Sequence, residues 1–296
     1  MKKYFLPISI GMSLCIIGMF SCTEEIPPEK LRLKTTEKAV IIEGYISYAV
    51  NADSNTVNTQ GPFEVKVSTS SPYFEKVSFI GLSGAVVWMT DNFGQKDYFT
   101  EVSPGIYRSD SIQAIPERTY TLNVTYQGKT YSASSYMPTY VPLDSVTYKY
   151  VPGINFLPAG YYATIYGVDP PGGNNYYRLR VFKRTTDKLT GKRIDSLFNG
   201  AFDYQGGIAE DKFFDGNFID FQLPYPGKIG DTIRFELCSI DRGSYEYYLS
   251  LGQAIANGGS GGPFSPPPAN PKTNFNNGAY GYFSAESYSR RWLIIK

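Results

Sequence analysis

Apolar and polar residues alternate along most of the chain from residue 39 onward. The segment 40–46 reads VIIEGYI and the segment 120–126 reads YTLNVTY, a period of two that is typical of β-strands with one buried face. Gln127-Gly128 predicts a hairpin turn into a further strand at 130–136. About seven short strands of this kind predict an immunoglobulin-like or prealbumin-like β-sandwich over residues 39–137.

A second β-rich domain is predicted over residues 142–296. Two prolines, Pro138 and Pro142, bracket a short extended link that predicts the boundary between the two domains. The polar stretch 185–214 predicts a long loop or a short insertion. Strand patterns recur beyond the link at 146–150, 162–168, 176–184, 218–223, 232–240, 279–285 and 291–295.

One segment has a helical period instead. Apolar residues recur there at intervals of three and four, which predicts an amphipathic helix over about 244–256. Asn257-Gly258 ends it, because glycine tolerates the backbone of a helix C-terminus. A loop rich in Gly, Pro and Asn follows at 258–278. The predicted fold class is therefore mainly all-β with one C-terminal helix. The apolar face of the helix contains Tyr245, Tyr248, Leu249, Gly252 and Ile255.

The N-terminus has the pattern of a secretory signal. Two lysines precede an apolar stretch that is too short and too interrupted to span a membrane, and Ser21-Cys22 follows. We interpret residues 1–21 as a lipoprotein signal peptide, Cys22 as the lipidated residue, and residues 22–38 as a tether. The alternatives are cleavage without a lipid and attachment at Cys15.

Glu24 and Glu25 place two carboxylates just after the lipidation site. This acidic pair resembles a signal for export to the cell surface in lipoproteins of the Bacteroidota. The alternative is an ordinary solvated linker. The sequence therefore predicts a lipid-anchored protein of the outer membrane, with the cell surface as its candidate location.

Charge and composition exclude several classes of function. Loss of Lys2 and Lys3 with the signal peptide leaves 26 basic and 27 acidic residues, a balance that provides no basic surface for nucleic acid. Histidine is absent, which excludes His-dependent nucleophile systems and His-ligated zinc. Cys238 is the only cysteine after Cys22, so no intrachain disulfide is expected, and a packed thiol is the expected state of Cys238.

Motifs for catalysis and cofactor binding are weak. The glycines of 258–262 follow a helix and open no new one, unlike a phosphate-binding loop. The acidic stretch 211–220 offers oxygens from Asp211, Asp215, Asn217 and Asp220, but its spacing misses the EF-hand pattern and favours a turn at 215–217. No linear motif indicates the paired carboxylates of a glycosidase. We therefore predict no catalytic residue, no metal and no cofactor.

Several short motifs are spread over nearly all of the mature chain. They are VIIEGYI at 40–46, SPYF at 71–74, GAVV at 84–87, PGIY at 104–107, YTL at 120–122, Met137-Pro138, the tyrosine-rich helix, the Pro and Asn positions of 263–278 and YFSA at 282–285. Their order and spacing resemble the domain-of-unknown-function 4249 family of Bacteroidota lipoproteins. The resemblance implies a cell-envelope lipoprotein encoded near TonB-dependent outer-membrane transporters, with no catalytic residue to carry over.

These observations predict a non-catalytic lipoprotein that assists a TonB-dependent transporter in ligand capture or uptake. The ligand is unknown, with a peptide or a glycan as the candidates. The alternatives are a structural or adhesive envelope protein and, less favoured, a polymer-acting enzyme that uses carboxylates. The loop 264–277 is the candidate contact surface, with a structural strap across the sandwich as its alternative. The candidate contact residues are Tyr245, Tyr248, Phe264, Asn274 and Phe275.

Overall fold

The computed structural model describes residues 38–70, 79–154, 157–186, 190–198, 207–258 and 270–296, and strands make up most of them. The predicted all-β class with one C-terminal helix is confirmed. The first eight strands are β1 (Val40–Asn51), β2 (Thr56–Asn58), β3 (Phe63–Thr69), β4 (Val86–Asp91), β5 (Lys96–Ser103), β6 (Ile106–Ser109), β7 (Thr119–Tyr126) and β8 (Lys129–Tyr136). The others are β9 (Leu143–Val151), β10 (Gly160–Val168), β11 (Tyr176–Thr186), β12 (Arg193–Leu197), β13 (Ile208–Glu210), β14 (Phe218–Gln222), β15 (Thr232–Ile240) and β16 (Tyr280–Ile294). The α-helix, α1, spans Arg242–Gly258, and a 3-10 turn spans Asp211–Phe213.

Most of these strands belong to one large sheet. Its order is β12-β11-β15-β16-β1-β3-β6-β5-β4-β7-β8, with β13 beside β11 and β2 beside β1. The first strand, β1, pairs in parallel with the last, β16, from Ile41 opposite Tyr280 to Asn51 opposite Arg290. The approach is close at Gly281, where a Cβ would lie 2.0 Å from the carbonyl oxygen of Ile42. The three strands β14-β10-β9 form a separate sheet.

The large sheet curls so that its edge strand β8 returns to β16. The amide of Ala285 donates to the Ser135 hydroxyl at 2.9 Å, and the amide of Asn276 donates to the Ser132 carbonyl at 3.1 Å. The curl encloses a first hydrophobic cluster from β1, β3 to β8 and β16, and Phe283 is fully buried in it. The order of strands alone would leave β8 as an open edge.

A second hydrophobic cluster lies between the three-stranded sheet and the strands β11, β15 and β16. Ile165 and Leu143 contribute from the small sheet, and Phe235, Val181 and Leu293 from the large one. Because β16 carries residues of both clusters, it joins the two halves of the chain. The described residues all lie in one compact unit, and the predicted division into domains at 137–142 stays a prediction.

The predicted hairpin at Gln127-Gly128 is present between β7 and β8. Both residues have positive φ, 48° and 77°, which matches the twist of the flanking strands in a two-residue hairpin. The predicted helix at 244–256 is also present, two residues longer at each end. Period-two and helical patterns were therefore sufficient to locate these elements.

Two stretches differ from the predicted strand pattern. The stretch 185–214, predicted as a long loop or a short insertion, contains β12 and β13, and the polar, exposed sequence RIDSL of β12 has no apolar alternation that would indicate a strand. The segments predicted as strands at 279–285 and 291–295 form the single strand β16. Its middle, from Glu286 to Arg290, is polar: Glu286 pairs with Arg180 at 2.6 Å, whereas Ser287 and Ser289 form hydrogen bonds with the backbone of Pro138 and Leu143.

Candidate ligand-binding cleft

A cleft of about 580 Å³ lies between the helix α1 and the outer face of β1, β3 and β6, where "outer" denotes the face turned away from the two hydrophobic clusters. Its volume is within the range of small-molecule sites. Strand alternation places Glu43 and Tyr45 on this face, while Ile42 and Ile46 point into the first cluster. The cleft is lined by Glu43, Gly44, Tyr45, Pro62, Glu64, Lys66, Arg108, Tyr247, Tyr248, Leu251, Tyr282 and Ser284.

Tyrosine rings form much of the cleft surface. Tyr45 is 50% exposed, the largest exposed fraction among the tyrosines of the cleft. On the opposite wall the ring of Tyr247 stacks on that of Tyr282, with centroids 4.5 Å apart and an interplanar angle of 16°. Tyr248 meets Tyr247 edge to face at 5.2 Å. These contacts fix the rings of the wall in place and leave Tyr45 facing solvent.

The helix wall is anchored at its N-terminus by Asp241. One carboxylate oxygen of Asp241 accepts a hydrogen bond from the amide of Ser244 at 2.7 Å, which is the geometry of an N-cap. The other accepts from the Ser135 hydroxyl at 2.8 Å and from the Tyr136 amide at 3.1 Å. The hydroxyls of Ser244 and Ser284 lie 2.9 Å apart. The beginning of α1 is thereby tied to both β8 and β16.

The charged groups at the rim of the cleft balance. Arg108 donates to one carboxylate oxygen of Glu64 through two nitrogens, at 3.0 and 2.8 Å. Lys66 approaches the other oxygen of Glu64 at 3.9 Å. With Glu43, the rim thus carries two acidic and two basic side chains. A rim of this kind has no net charge at neutral pH.

An ion-pair network continues along the outer face beside the cleft. Arg180 lies between Glu236 and Glu286, at 3.0 and 2.6 Å. Glu236 also pairs with Arg234 at 3.0 Å, and Arg234 in turn approaches Asp195 at 2.6 Å. Both glutamates are buried, Glu286 with 1% of its surface exposed. Their burial is compensated because each faces a guanidinium.

Aromatic rings cover the arginines of this face. The guanidinium of Arg178 lies 4.0 Å from the ring centroid of Tyr248, and that of Arg180 lies 5.0 Å from the ring of Tyr288. Arg184 lies 4.0 Å from the ring of Trp292. Such contacts are favourable between a cation and the negative face of an aromatic ring. They hold the side chains of the outer face in a fixed arrangement.

Burial raises the pKa of three tyrosines of the cleft, which are already protonated at neutral pH at their ordinary pKa. For Tyr45, nearby Arg180 partly offsets the effect, and Glu286 and Glu64 reinforce it. Burial also raises the pKa of Tyr248 and of Tyr282. Among them Tyr45 is half exposed, and its hydroxyl can donate a hydrogen bond to a ligand.

Cys238 lies on the same outer face and is fully buried. Burial raises the pKa of its thiol, so the thiolate does not form at neutral pH. The packed, unreactive thiol expected from the sequence agrees with this environment.

The residues predicted as a contact surface lie in three different places. Tyr248 lines the cleft, whereas the ring of Tyr245 packs against Tyr176 at 5.0 Å. The side-chain amide of Asn274 donates to the carbonyls of Phe283 and Ser134, at 2.7 and 3.2 Å, which joins β16 to β8. This agrees with a strap across the curled sheet. Cys22, Glu24, Glu25 and Phe264 lie outside the described residues.

One residue of the predicted contact surface needs correction. Phe275 is only 6% exposed and packs in the first hydrophobic cluster. It follows Asn274, whose hydrogen bonds draw this part of the loop against the sheet and turn the Phe275 ring inward. Its side chain therefore contributes to the core instead of a surface.

Sequence reasoning missed most of the cleft. Tyr45, Glu64, Arg108 and Tyr282 come from four different strands, and no local motif links them. The available signal was the alternation in VIIEGYI, which assigns Glu43 and Tyr45 to the outer face. An exposed tyrosine two residues from Glu43 on the same face of the strand is the feature that could have identified the site.

Asp169, Asp211 and Asp215 offer carboxylate oxygens that lie within 4.8 Å of one another, close enough to hold a cation. Each also accepts hydrogen bonds from its surroundings. Asp169 accepts from the Tyr177 hydroxyl and the Gly216 amide, Asp211 from the Asn175 amide, and Asp215 from the Gly172 amide. These bonds hold the loop before β11 against the turn at 214–216, close to the turn predicted at 215–217.

Comparison with protein families gives a match over most of the chain. A family model described as a domain of unknown function, DUF4249, matches residues 35–291. No curated protein matches the chain significantly. Within the described ranges, no helix is long and apolar enough to cross a membrane.

Proposed function

Since the chain belongs to the DUF4249 family, we propose that it is a non-catalytic, lipid-anchored protein of the outer membrane that captures a ligand for a TonB-dependent transporter. The observation that carries this proposal is the open, tyrosine-lined cleft beside α1. Aromatic side chains with a polar tip are frequent where proteins recognise ligands and partners.

The fixed side chains of the cleft favour capture of a ligand over catalysis. The rings of Tyr247 and Tyr282 are fixed by stacking, and the ion pairs of Arg180 and Glu64 hold the surrounding charges. A site preorganised in this way binds a ligand without first paying for the ordering of its side chains. The tyrosines of the cleft keep their protons at neutral pH, which suits hydrogen bonding and not proton transfer.

The anchor and the location rest on the sequence. The signal pattern of residues 1–21 ends at Cys22, and Glu24-Glu25 follows as the candidate export signal. A tether of residues 22–38 would let the cleft reach a neighbouring transporter in the same membrane. The family resemblance supplies the transporter as the expected partner.

The proposal is tested by purification of the tagged full-length protein from crosslinked cells in detergent. We expect an outer-membrane transporter to copurify, and protease to shave the protein from intact cells. Replacement of Cys22 by Ala should release the protein from the membrane fraction.

The role of the cleft is tested with two matched variants. Tyr45→Ala removes the half-exposed ring of the cleft, and Tyr98→Ala removes a ring of similar exposure, 57%, from β5. Transporter-dependent growth on the imported nutrient should decline for Tyr45→Ala and remain normal for Tyr98→Ala. Repeated failure to recover a transporter under crosslinking would exclude the accessory role.

A further inference from the structure

We propose that the cleft binds an uncharged, hydroxyl-rich oligosaccharide, an inference that rests on the ligand capture proposed above. The argument uses the charge, ring geometry and backbone pairing of the cleft. Each of these properties excludes a different class of ligand.

The charge balance argues against a polyanion or a polycation. At the rim, Glu43 and Glu64 are matched by Lys66 and Arg108. On the face beside it, the acidic side chains are paired with arginines, and Arg178 lies against the ring of Tyr248 in addition. Binding of a highly charged polymer requires an excess of the opposite charge, which focuses the electrostatic field at the site. The paired groups of the rim offer hydrogen-bond donors and acceptors without such an excess.

The tyrosine rings match the shape of a sugar. A pyranose presents a flat face of C–H groups and a periphery of hydroxyls. Tyr45 offers a half-exposed ring on the floor of the cleft, and the stacked rings of Tyr247 and Tyr282 form part of its wall, with Tyr282 only 7% exposed. An aromatic ring loses little conformational entropy when it contacts a ligand, because it has only two rotatable side-chain bonds.

The backbone of the floor argues against an extended peptide. Peptides often bind by adding a strand to the open edge of a sheet. The floor strands β1 and β3 are interior strands, since β1 pairs with β16 and β3, and β3 pairs with β1 and β6. Over these paired residues, their amides and carbonyls are already used within the sheet. A ligand on this floor therefore meets side chains only.

An apolar ligand would find a better site elsewhere. A second cavity, of about 320 Å³, is lined mainly by apolar residues, among them Ile165, Leu179, Phe214 and Phe221. Among the described residues that line the cleft beside α1, the aliphatic or proline side chains are Leu251 and Pro62, beside charged groups and tyrosines. The contrast assigns the polar, ring-lined cleft to a ligand with many hydroxyls.

The inference is tested by calorimetric titration of the full-length protein in detergent. The probes are an array of uncharged oligosaccharides, including maltohexaose, mannohexaose and xylohexaose. Hexagalacturonate and an uncharged hexapeptide are titrated in the same way as representatives of the two other ligand classes. We expect at least one uncharged oligosaccharide to bind. Its Kd should change by less than about twofold between low and high salt, because no net charge is neutralised.

Variants of Tyr45 locate the binding. Tyr45→Ala should weaken binding by about tenfold or more, as expected for removal of an aromatic anchor. Tyr45→Phe should retain binding within about threefold, because the ring face remains. Tyr98→Ala, at a similarly exposed tyrosine outside the cleft, should bind as the unmodified protein does.

Two results would overturn the inference. One is that no uncharged oligosaccharide of the array binds. The other is that hexagalacturonate or the hexapeptide binds instead, with the same dependence on Tyr45. In the second case ligand capture by the cleft would stand and only the ligand class would fail. Failure of the proposed function would be seen in a separate experiment, as the absence of a copurifying transporter.

Discussion

The strands β11, β15 and β16 are buried on both faces, but the two faces achieve this differently. The inner face packs Phe235, fully buried, against the apolar residues of the second cluster. The outer face buries Glu286 to 1% exposure and compensates it with Arg180 at 2.6 Å. Apolar packing is non-directional, whereas a buried ion pair depends on the presence of every partner. The stability of the outer face therefore depends on individual ion pairs, whereas that of the inner face depends on the volume that its side chains fill.

The largest loss of stability should come from a substitution on the inner face. Phe235→Ala leaves a cavity in the second cluster and should lower the free energy of unfolding by about 3 to 5 kcal/mol. Urea denaturation measures the change. Phe218→Ala, at a phenylalanine that is 69% exposed, is the control and should cost much less. A loss below about 1 kcal/mol for Phe235→Ala would mean that the cluster relaxes to fill the cavity.

The next effect should come from the ion-pair network. Arg180→Met leaves Glu236 and Glu286 without this cation and should destabilise the protein by about 3 kcal/mol. A triple variant that also carries Glu236→Leu and Glu286→Leu should recover most of this loss, because the unpaired charges are removed. Equal instability of the single and triple variants would show that packing and not charge makes Arg180 necessary.

The pH dependence of stability sharpens the comparison, since the outer face contains a network of ionisable pairs. The hydrogen bond from Arg184 holds the pKa of Asp195 below its ordinary value of 3.8, against the opposing effect of partial burial, and Arg234 adds to it. A carboxyl whose pKa is lowered on folding stabilises the protein fully above its ordinary pKa and loses this effect as the pH falls through the folded-state pKa.

Asp195→Asn should therefore cost about 1 to 2 kcal/mol at neutral pH, and the cost should shrink in strong acid. Urea unfolding of both proteins across pH 2 to 7 gives the difference. Asp110→Asn, at an exposed aspartate, serves as the control. A cost that is the same at all pH values would attribute the effect to shape and not to charge.

The smallest effect on stability should come from the exposed ring of the cleft. Tyr45→Ala removes a side chain that is half exposed and should change the free energy of unfolding by less than about 0.5 kcal/mol. The same variant is expected to lose ligand binding. A loss of stability above about 1.5 kcal/mol would assign Tyr45 to the support of the sheet.

The sequence predicted those strands, turns and helices that have a clear hydrophobic period and that depend on residues close together in the chain. The strand at 40–46, the hairpin at Gln127-Gly128 and the helix α1 were found from local patterns alone. The middle of β16 was not, because a run such as ESYSR has the polarity of a loop. Its strand conformation follows from its pairing with β1 on one side and β15 on the other, together with the contact between Glu286 and Arg180.

The cleft could not be predicted for a related reason. Tyr45 and Glu64 lie early in the described chain, and Tyr247 and Tyr282 lie near its end. Their approach depends on the pairing of β1 with β16, which no local pattern encodes. Phe275 is a residue that the sequence assigned to the contact surface by mistake. It was interpreted as an exposed aromatic of the loop, but it packs in the first hydrophobic cluster next to Asn274, whose side chain is hydrogen-bonded to the sheet.

The pairing of β1 with β16 also bears on the order of folding. β1 can complete its parallel partnership only when β16 is available, almost the full length of the described chain later. Contacts of such long sequence separation slow folding, because a large loop must close before they form. A chain that lacks its last twenty residues would be deprived of the strand that both hydrophobic clusters share. We therefore expect chains to remain susceptible to proteases until β16 has been synthesised.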